Sequence, residues 1–167
     1  VLVHLSEIMS IAEERKIGIG SFNTPSLYTL MGVIEAAEEL NVPVIIQFAQ
    51  CHEPWIPLSI IGPIMVEQAK KAKVPVCVHL DHGETLEYLK QALLIGFTGI
   101  MYDGSVLPYE ENMRNTIAAV KMASRYNCGV EAELGSMGKR ESGAGDGGAG
   151  NDDDTKIYTN PELARDF

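Results

Sequence analysis

The chain has 167 residues, 46% of them hydrophobic, and a formal net charge of −10. That is enough apolar material for one domain with a sizeable core, while the acidic balance argues against nucleic acid or an anionic membrane surface as the main partner, since both require clustered Lys and Arg. No segment reaches the roughly 18 apolar residues of a membrane span. Val1–Ser6 lacks the charged and long apolar regions of a signal peptide, so a cytoplasmic protein is expected. Cys51, Cys77 and Cys128 have no close spacing and suit reduced, structural thiols. An anionic substrate must be held by locally placed donors.

In chain order, Ser6 reads as the N-cap of a first helix that closes at Lys16–Gly18, with Glu7 favourable at its positive end. Residues 17–24 follow as a strand with Asn23 at its far end, and the glycines in it suggest close backbone approach. Pro25-Ser26-Leu27 opens an amphipathic helix with Leu30, Ile34, Ala37 and Leu40 on one face, ended by Asn41 and Val42-Pro43. Val44–Ala49 is the next strand. In its polar exit, His52 and Glu53 read either as a metal ligand with its carboxylate neighbour or, the favoured reading, as a loop pair contacting substrate or solvent. A third helix covers residues 58–73, with Pro63 near a turn boundary.

Val76, Cys77, Val78 and Leu80 make a buried strand bounded by Pro75 and Gly83. It delivers Asp81 and His82 where the strand ends. Successive strand residues point to opposite faces, so the two share a pocket only if the backbone turns there, and Gly83 permits such a turn. In the alternative, Asp81 caps the following helix and a carbonyl satisfies His82. After a helix through Tyr88, Ala92 and Leu93, residues 100–105 form an apolar strand that delivers Asp103. A helix over residues 108–126 then precedes a strand over 128–135 with Glu131 and Glu133 on one face.

Strand and helix alternate five times, the pattern of a parallel sheet built from βαβ crossovers. Each strand ends in Asn, Gln, Asp-His, Asp or Glu while its interior stays apolar, and a single active-site rim at the carboxyl ends accounts for that. Residues 138–155, rich in Gly and Asp, read as a mobile loop. Within it, Asp146–Asp154 does not fit the spacing of an EF-hand calcium loop and reads as a solvated acidic linker. Glu141 lies close to the strand end, where the loop could close over the site. A new helix starts around Tyr158–Glu162 and the chain stops inside it.

Ser21-Phe22-Asn23, His79-Leu80-Asp81-His82-Gly83, Tyr102-Asp103-Gly104-Ser105 and Val130–Gly135, in this order and spacing, make the chain resemble the N-terminal portion of a class II, metal-dependent ketose-bisphosphate aldolase. That family contains fructose- and tagatose-bisphosphate aldolases. The resemblance implies an α/β fold, a TIM-type barrel of eight strands of which residues 1–167 supply about the first five within a single domain. It implies Zn2+ at the carboxyl-end face, with His82 as a zinc ligand and Asp103 and Glu133 as carboxylates of a second or alternative position for a divalent or monovalent cation. Asp81 would be the acid that protonates the aldehyde oxygen, Glu141 the loop glutamate that moves a proton at the enediolate carbon, and Asn23 a substrate contact. The implied reaction is reversible aldol cleavage of a ketose 1,6-bisphosphate to dihydroxyacetone phosphate and an aldehyde phosphate, in glycolysis, by a dimer or larger homo-oligomer. Two further zinc histidines and most phosphate-binding groups would come from later strands, so the 167 residues are expected to be a portion of a larger protein, or to pair with a second polypeptide, and to be feebly active or inactive alone. The sequence departs from the family at Gly138-Lys139-Arg140-Glu141, where Gly-Gly before acidic residues is usual, and at Ala49–Glu53, which lacks the serine expected for substrate contact. The residues themselves also suit another metal-dependent (β/α) lyase or hydrolase using Asp81, His82 and Glu133, or a non-catalytic scaffold.

Overall fold

The structure, a computed structural model, describes residues 1–135 and 159–167. Residues 138–155, with Glu141, lie outside the described residues. Five parallel strands form one sheet in chain order: β1 (Ser21–Asn23), β2 (Val44–Ala49), β3 (Val76–Gly83), β4 (Gly99–Tyr102) and β5 (Gly129–Ala132). Parallel neighbours need a crossover, and each one here is a helix: α2 (Leu27–Leu40), α3 (Leu58–Lys71), α4 (Leu86–Ile95) and α5 (Tyr109–Ala123). Helix α1 (Leu5–Arg15) precedes the sheet and α6 (Pro161–Asp166) follows it. Sequential strands joined in this way are the first five of a TIM-type (β/α) barrel. No helix among the described residues is long and apolar enough to cross a membrane.

The two faces of the sheet are covered differently. On the outer face Ile46, Phe48, Val78, Leu80, Ile100 and Tyr102 pack with apolar residues of α2 to α5 in one large core. On the inner face Ile45 and Cys77, near the strand starts, pack with Ile8 of α1. Asn23, Gln47, His79, Gly99 and Gly129 lie side by side across the five strands. The two glycines make room there: a Cβ at Gly99 would lie 2.5 Å from His79 Nδ1, and one at Gly129 would lie 2.9 Å from Leu5 Cβ. Beyond this row, toward the carboxyl ends, the inner face turns polar.

Several boundaries differ from expectation, each for a local reason. Helix α1 is capped by His4 rather than Ser6, the Glu7 carboxylate accepting the His4 N–H at 2.7 Å. Strand β1 is confined to residues 21–23, β4 stops at Tyr102 and β5 at Ala132, so the polar residues that follow stand past the ladder. Pro63 lies inside α3, on an exposed face, rather than near a turn boundary. Cys77 and Cys128 are buried, and burial pushes their thiols up to about 11 and about 12. Cys51 is also free, and it is exposed, in the turn after β2.

Candidate metal centre and active site

The site begins with an irregularity in β3. Leu80 pairs with Ile100 and Gly83 with Tyr102, so Asp81 and His82 together oppose the single residue Met101. This β-bulge is how two consecutive residues reach one pocket. The turn is made by His82 itself, at φ +44, and not by Gly83 as the sequence suggested. Holding a non-glycine residue in that region costs of order 1–3 kcal/mol, and such strain gathers at functional sites. Gly83 serves a different need, close packing: a Cβ there would lie 2.5 Å from Leu89 Cδ1 and 2.9 Å from the Met101 carbonyl. Asp81 does not cap the next helix, since Thr85 does so by accepting the Tyr88 N–H at 3.2 Å.

Around the bulge four ionisable side chains converge, none more than about a third exposed. His82 Nδ1 lies 2.8 Å from Asp103 Oδ2 and 3.7 Å from Glu133 Oε2, while its Nε2 lies 3.9 Å from Asp81 Oδ1. Asp81 accepts from Asn23 Nδ2 at 2.8 Å and from Gln47 Nε2 at 3.4 Å. Asp103 Oδ1 accepts from the Ser105 backbone N–H at 3.0 Å and from its hydroxyl at 2.7 Å. Burial disfavours the charged His82 ring, but the hydrogen bond to Asp103 and the charges of Asp81, Asp103 and Glu133 outweigh it and raise its pKa. Burial likewise presses the Asp103 carboxyl upward, and bonds from Ser105 and His82 win and hold it below its usual value. Glu131 points to the same face as Glu133 but meets a different partner. Its Oε2 is 3.1 Å from Nε2 of His79, a ring only 1% exposed, at contact distance though outside hydrogen-bond geometry.

Asn23, Asp81, His82, Asp103 and Glu133, singled out from the sequence, are thus brought together. His52 and Glu53 are not part of the cluster, so the metal-ligand reading of them finds no support, while they do lie half-buried in the turn after β2, where the loop-pair reading put them. His52 Nδ1 accepts the Ala49 N–H at 3.3 Å, and Glu53 Oε2 accepts the Leu58 N–H at 2.9 Å and the Tyr88 hydroxyl at 2.5 Å, so the pair ties the turn after β2 together. Gln50 Oε1 accepts the Glu84 N–H at 2.9 Å and joins that turn to the end of β3. Sequence reasoning missed Gln47, Ser105 and Asn112. Two of these left a signal: Ser105 follows Asp-Gly directly, as a residue that caps an aspartate does, and Asn112 shares a helical face with Ala119 and Ala123.

His82, Asp103 and Glu133 offer ligand atoms that all lie within 4.8 Å of one another. An imidazole with carboxylates suits zinc and other first-row divalent ions, so the residues present fit such an ion. Nδ1 faces Asp103 and Glu133, and Nε2 lies on the side of Asp81. A carboxylate bonded to a histidine fixes the ring's orientation, as Asp103 does here.

The profile of the family described as fructose-bisphosphate aldolase class-II matches residues 3–167. The chain belongs to that family. Among the relatives of this class II aldolase chain, the fructose-bisphosphate aldolase of Thermus caldophilus is 37% identical over 167 residues, covering 100% of this chain and 53% of the relative. That of Giardia intestinalis is 32% identical over 167 residues, covering 99% of this chain and 49% of the relative. The crystal structure of the YdjI aldolase from Escherichia coli K12 superposes with a TM-score of 0.77 at 37% identity, over 81% of this chain and 53% of that one. The chain therefore spans about half the length of the relatives it matches. Class II aldolases are generally metal-dependent, which agrees with the donor set assembled at the bulge.

Proposed function

We propose that the protein carrying this chain is a zinc-dependent aldolase. It cleaves a ketose 1,6-bisphosphate, fructose or tagatose, reversibly to dihydroxyacetone phosphate and an aldehyde phosphate, as a cytoplasmic glycolytic enzyme that works as a dimer or larger homo-oligomer. Family membership supports the reaction. The observation that carries the residue roles is the bulge that sets Asp81 and His82 side by side, with Asp103 and Glu133 against the ring.

When bound, zinc supplies a Lewis acid for the negative charge left on the substrate oxygens as the C–C bond breaks. His82 would hold it, and the Asp103 and Glu133 carboxylates, whose ligand atoms lie within 4.8 Å of the ring nitrogen and of each other, would offer a second or alternative cation position. Asp81, oriented by the amides of Asn23 and Gln47, moves the proton at the oxygen that becomes the aldehyde, taking it in cleavage and returning it in condensation. Asn23, beside it, is also assigned a substrate contact. Glu141 is assigned the proton at the carbon next to the ketone.

The test uses the full-length protein. Zinc content and release of dihydroxyacetone phosphate are measured with fructose and tagatose 1,6-bisphosphate before and after EDTA. Stoichiometric zinc, loss of turnover on chelation and recovery on zinc addition are expected, and Asp81→Asn should keep its zinc while losing about 10²–10⁴ in kcat. Turnover that survives EDTA would overturn the metal-dependent reading. A protein that binds no zinc would favour the scaffold.

A further inference from the structure

The last ladder pair of β5 is Ala132 with Tyr102, so Glu133 stands one residue past the sheet. Its backbone needs another anchor if its carboxylate is to stay beside His82. That anchor comes from α5, where Asn112, 2% exposed, donates from Nδ2 to the Glu133 carbonyl at 2.7 Å. Its Oδ1 accepts from the Thr116 hydroxyl at 3.3 Å, so both ends of the amide are used and its orientation is fixed. Gly104, directly after Asp103, leaves the space this requires: a Cβ there would meet Asn112 Oδ1 and lie 2.7 Å from its Cγ. Burying an amide is unfavourable unless it is hydrogen-bonded, and the other buried residues of α5 are alanines. Packing alone calls for no asparagine here.

We propose that Asn112 is a positioning residue of the metal centre: it extends the hold on the fifth strand by one peptide and so sets where the Glu133 carboxylate stands relative to His82. The inference rests on the reading of His82, Asp103 and Glu133 as a metal-holding set. Through Gly104 the β4–α5 turn that carries Asp103 and the strand end that carries Glu133 are packed on one amide, so the two carboxylates flanking the imidazole are spaced by it. Partners of this kind, one layer behind the ligands, typically govern metal affinity by 10–100-fold.

The test measures zinc affinity of the full-length protein by chelator competition, together with the visible spectrum of the cobalt-substituted form. Asn112→Asp keeps the shape but removes the N–H and sets a carboxylate against the carbonyl. Zinc affinity should fall by about 10–100-fold and the cobalt bands should shift. Thr116→Val, which only frees Asn112 Oδ1, should act in the same direction at smaller size, and it carries the test if Asn112→Asp does not fold. Ala119→Gly loosens the same helix without touching Glu133, so it should lower the melting temperature and leave zinc affinity and the cobalt bands unchanged. Wild-type affinity in both Asn112→Asp and Thr116→Val would overturn the proposal, as would an equal loss of affinity in Ala119→Gly at a matched fall in melting temperature. Wild-type protein that binds no zinc would overturn the metal reading itself, before any variant is compared.

Discussion

Two neighbouring strands each end in an acid beside an imidazole, His52-Glu53 after β2 and Asp81-His82 at the end of β3, and the fold uses the two pairs in opposite ways. After β2 the side chains are tied into the turn, by the Ala49 N–H on the ring and by the Leu58 N–H and, from α4, the Tyr88 hydroxyl on the carboxylate. At the end of β3 the ring points among three carboxylates, and one acid is held by two amides from β1 and β2. The chemistry of the residues is the same in both places. What differs is whether a turn brings backbone donors to the side chains, or a bulge carries the side chains to the inner face where other strand ends meet them.

The comparison breaks most sharply under His82→Ala and His52→Ala. Loss of His82 should abolish stoichiometric zinc binding and cut turnover by more than the ~100-fold expected from losing an outer partner. His52→Ala should keep both zinc and turnover. Zinc retained by His82→Ala, or lost by His52→Ala, would reverse the roles assigned to the two pairs, and zinc content by atomic absorption with initial rates reads it directly.

How far this contrast was legible in the sequence follows from the same local details. The alternation of apolar strands with helices made the parallel topology legible, because β2 and β3 are buried on both faces and read as mostly apolar runs, interrupted only by Gln47 and His79 before their polar ends. The convergence of Asn23, Asp81, His82, Asp103 and Glu133 was legible because carboxyl ends of parallel strands share one rim. The use of His52 and Glu53 was not, since it depends on Tyr88, 35 residues away along the chain. Nor was the turn at His82: the neighbouring glycine looked like the residue with conformational freedom, whereas it is the packing of Leu89 against that position that requires glycine. Asn112 acts on a carbonyl 21 residues on, a contact visible only once α5 is laid against β5.

Of intermediate size is the effect of Tyr88→Phe, which removes the hydroxyl from Glu53. A bond to a carboxylate in a half-buried turn supports an expected loss of about 1–2 kcal/mol, read as a lower urea midpoint with an unchanged slope, and zinc content should not move. Smaller again is a difference between two replacements of one residue. His82 stands at φ +44, where an alanine keeps the backbone penalty and a glycine does not. His82→Gly should therefore be more stable than His82→Ala by about 1 kcal/mol, the reverse of the usual order within a strand, and equal midpoints would deny the strain at the bulge.

The finest separation is in the sign of a pH dependence, measured on metal-free protein. The His82 pKa is raised above 6.5 by Asp103 and its neighbours despite burial, so its contribution to stability is fully present below about pH 6.5 and is lost as pH rises through the folded value. The His52 pKa is lowered from 6.5, chiefly by burial, with Asp81 opposing. Its contribution is therefore present above that value and is lost as pH falls below about 6.5, where the unfolded chain takes up the proton that the folded one resists. Melting temperatures of wild type, His82→Ala and His52→Ala in EDTA from pH 5 to 8 should then diverge in opposite directions. The gap between wild type and His82→Ala should narrow with rising pH, and the gap to His52→Ala should widen. Zinc inverts only the first of these, because the ion needs the unprotonated ring and binds more tightly as pH rises. Parallel pH slopes for the two gaps would mean that the two imidazoles sit in equivalent surroundings, contrary to the contrast between the ends of β2 and β3.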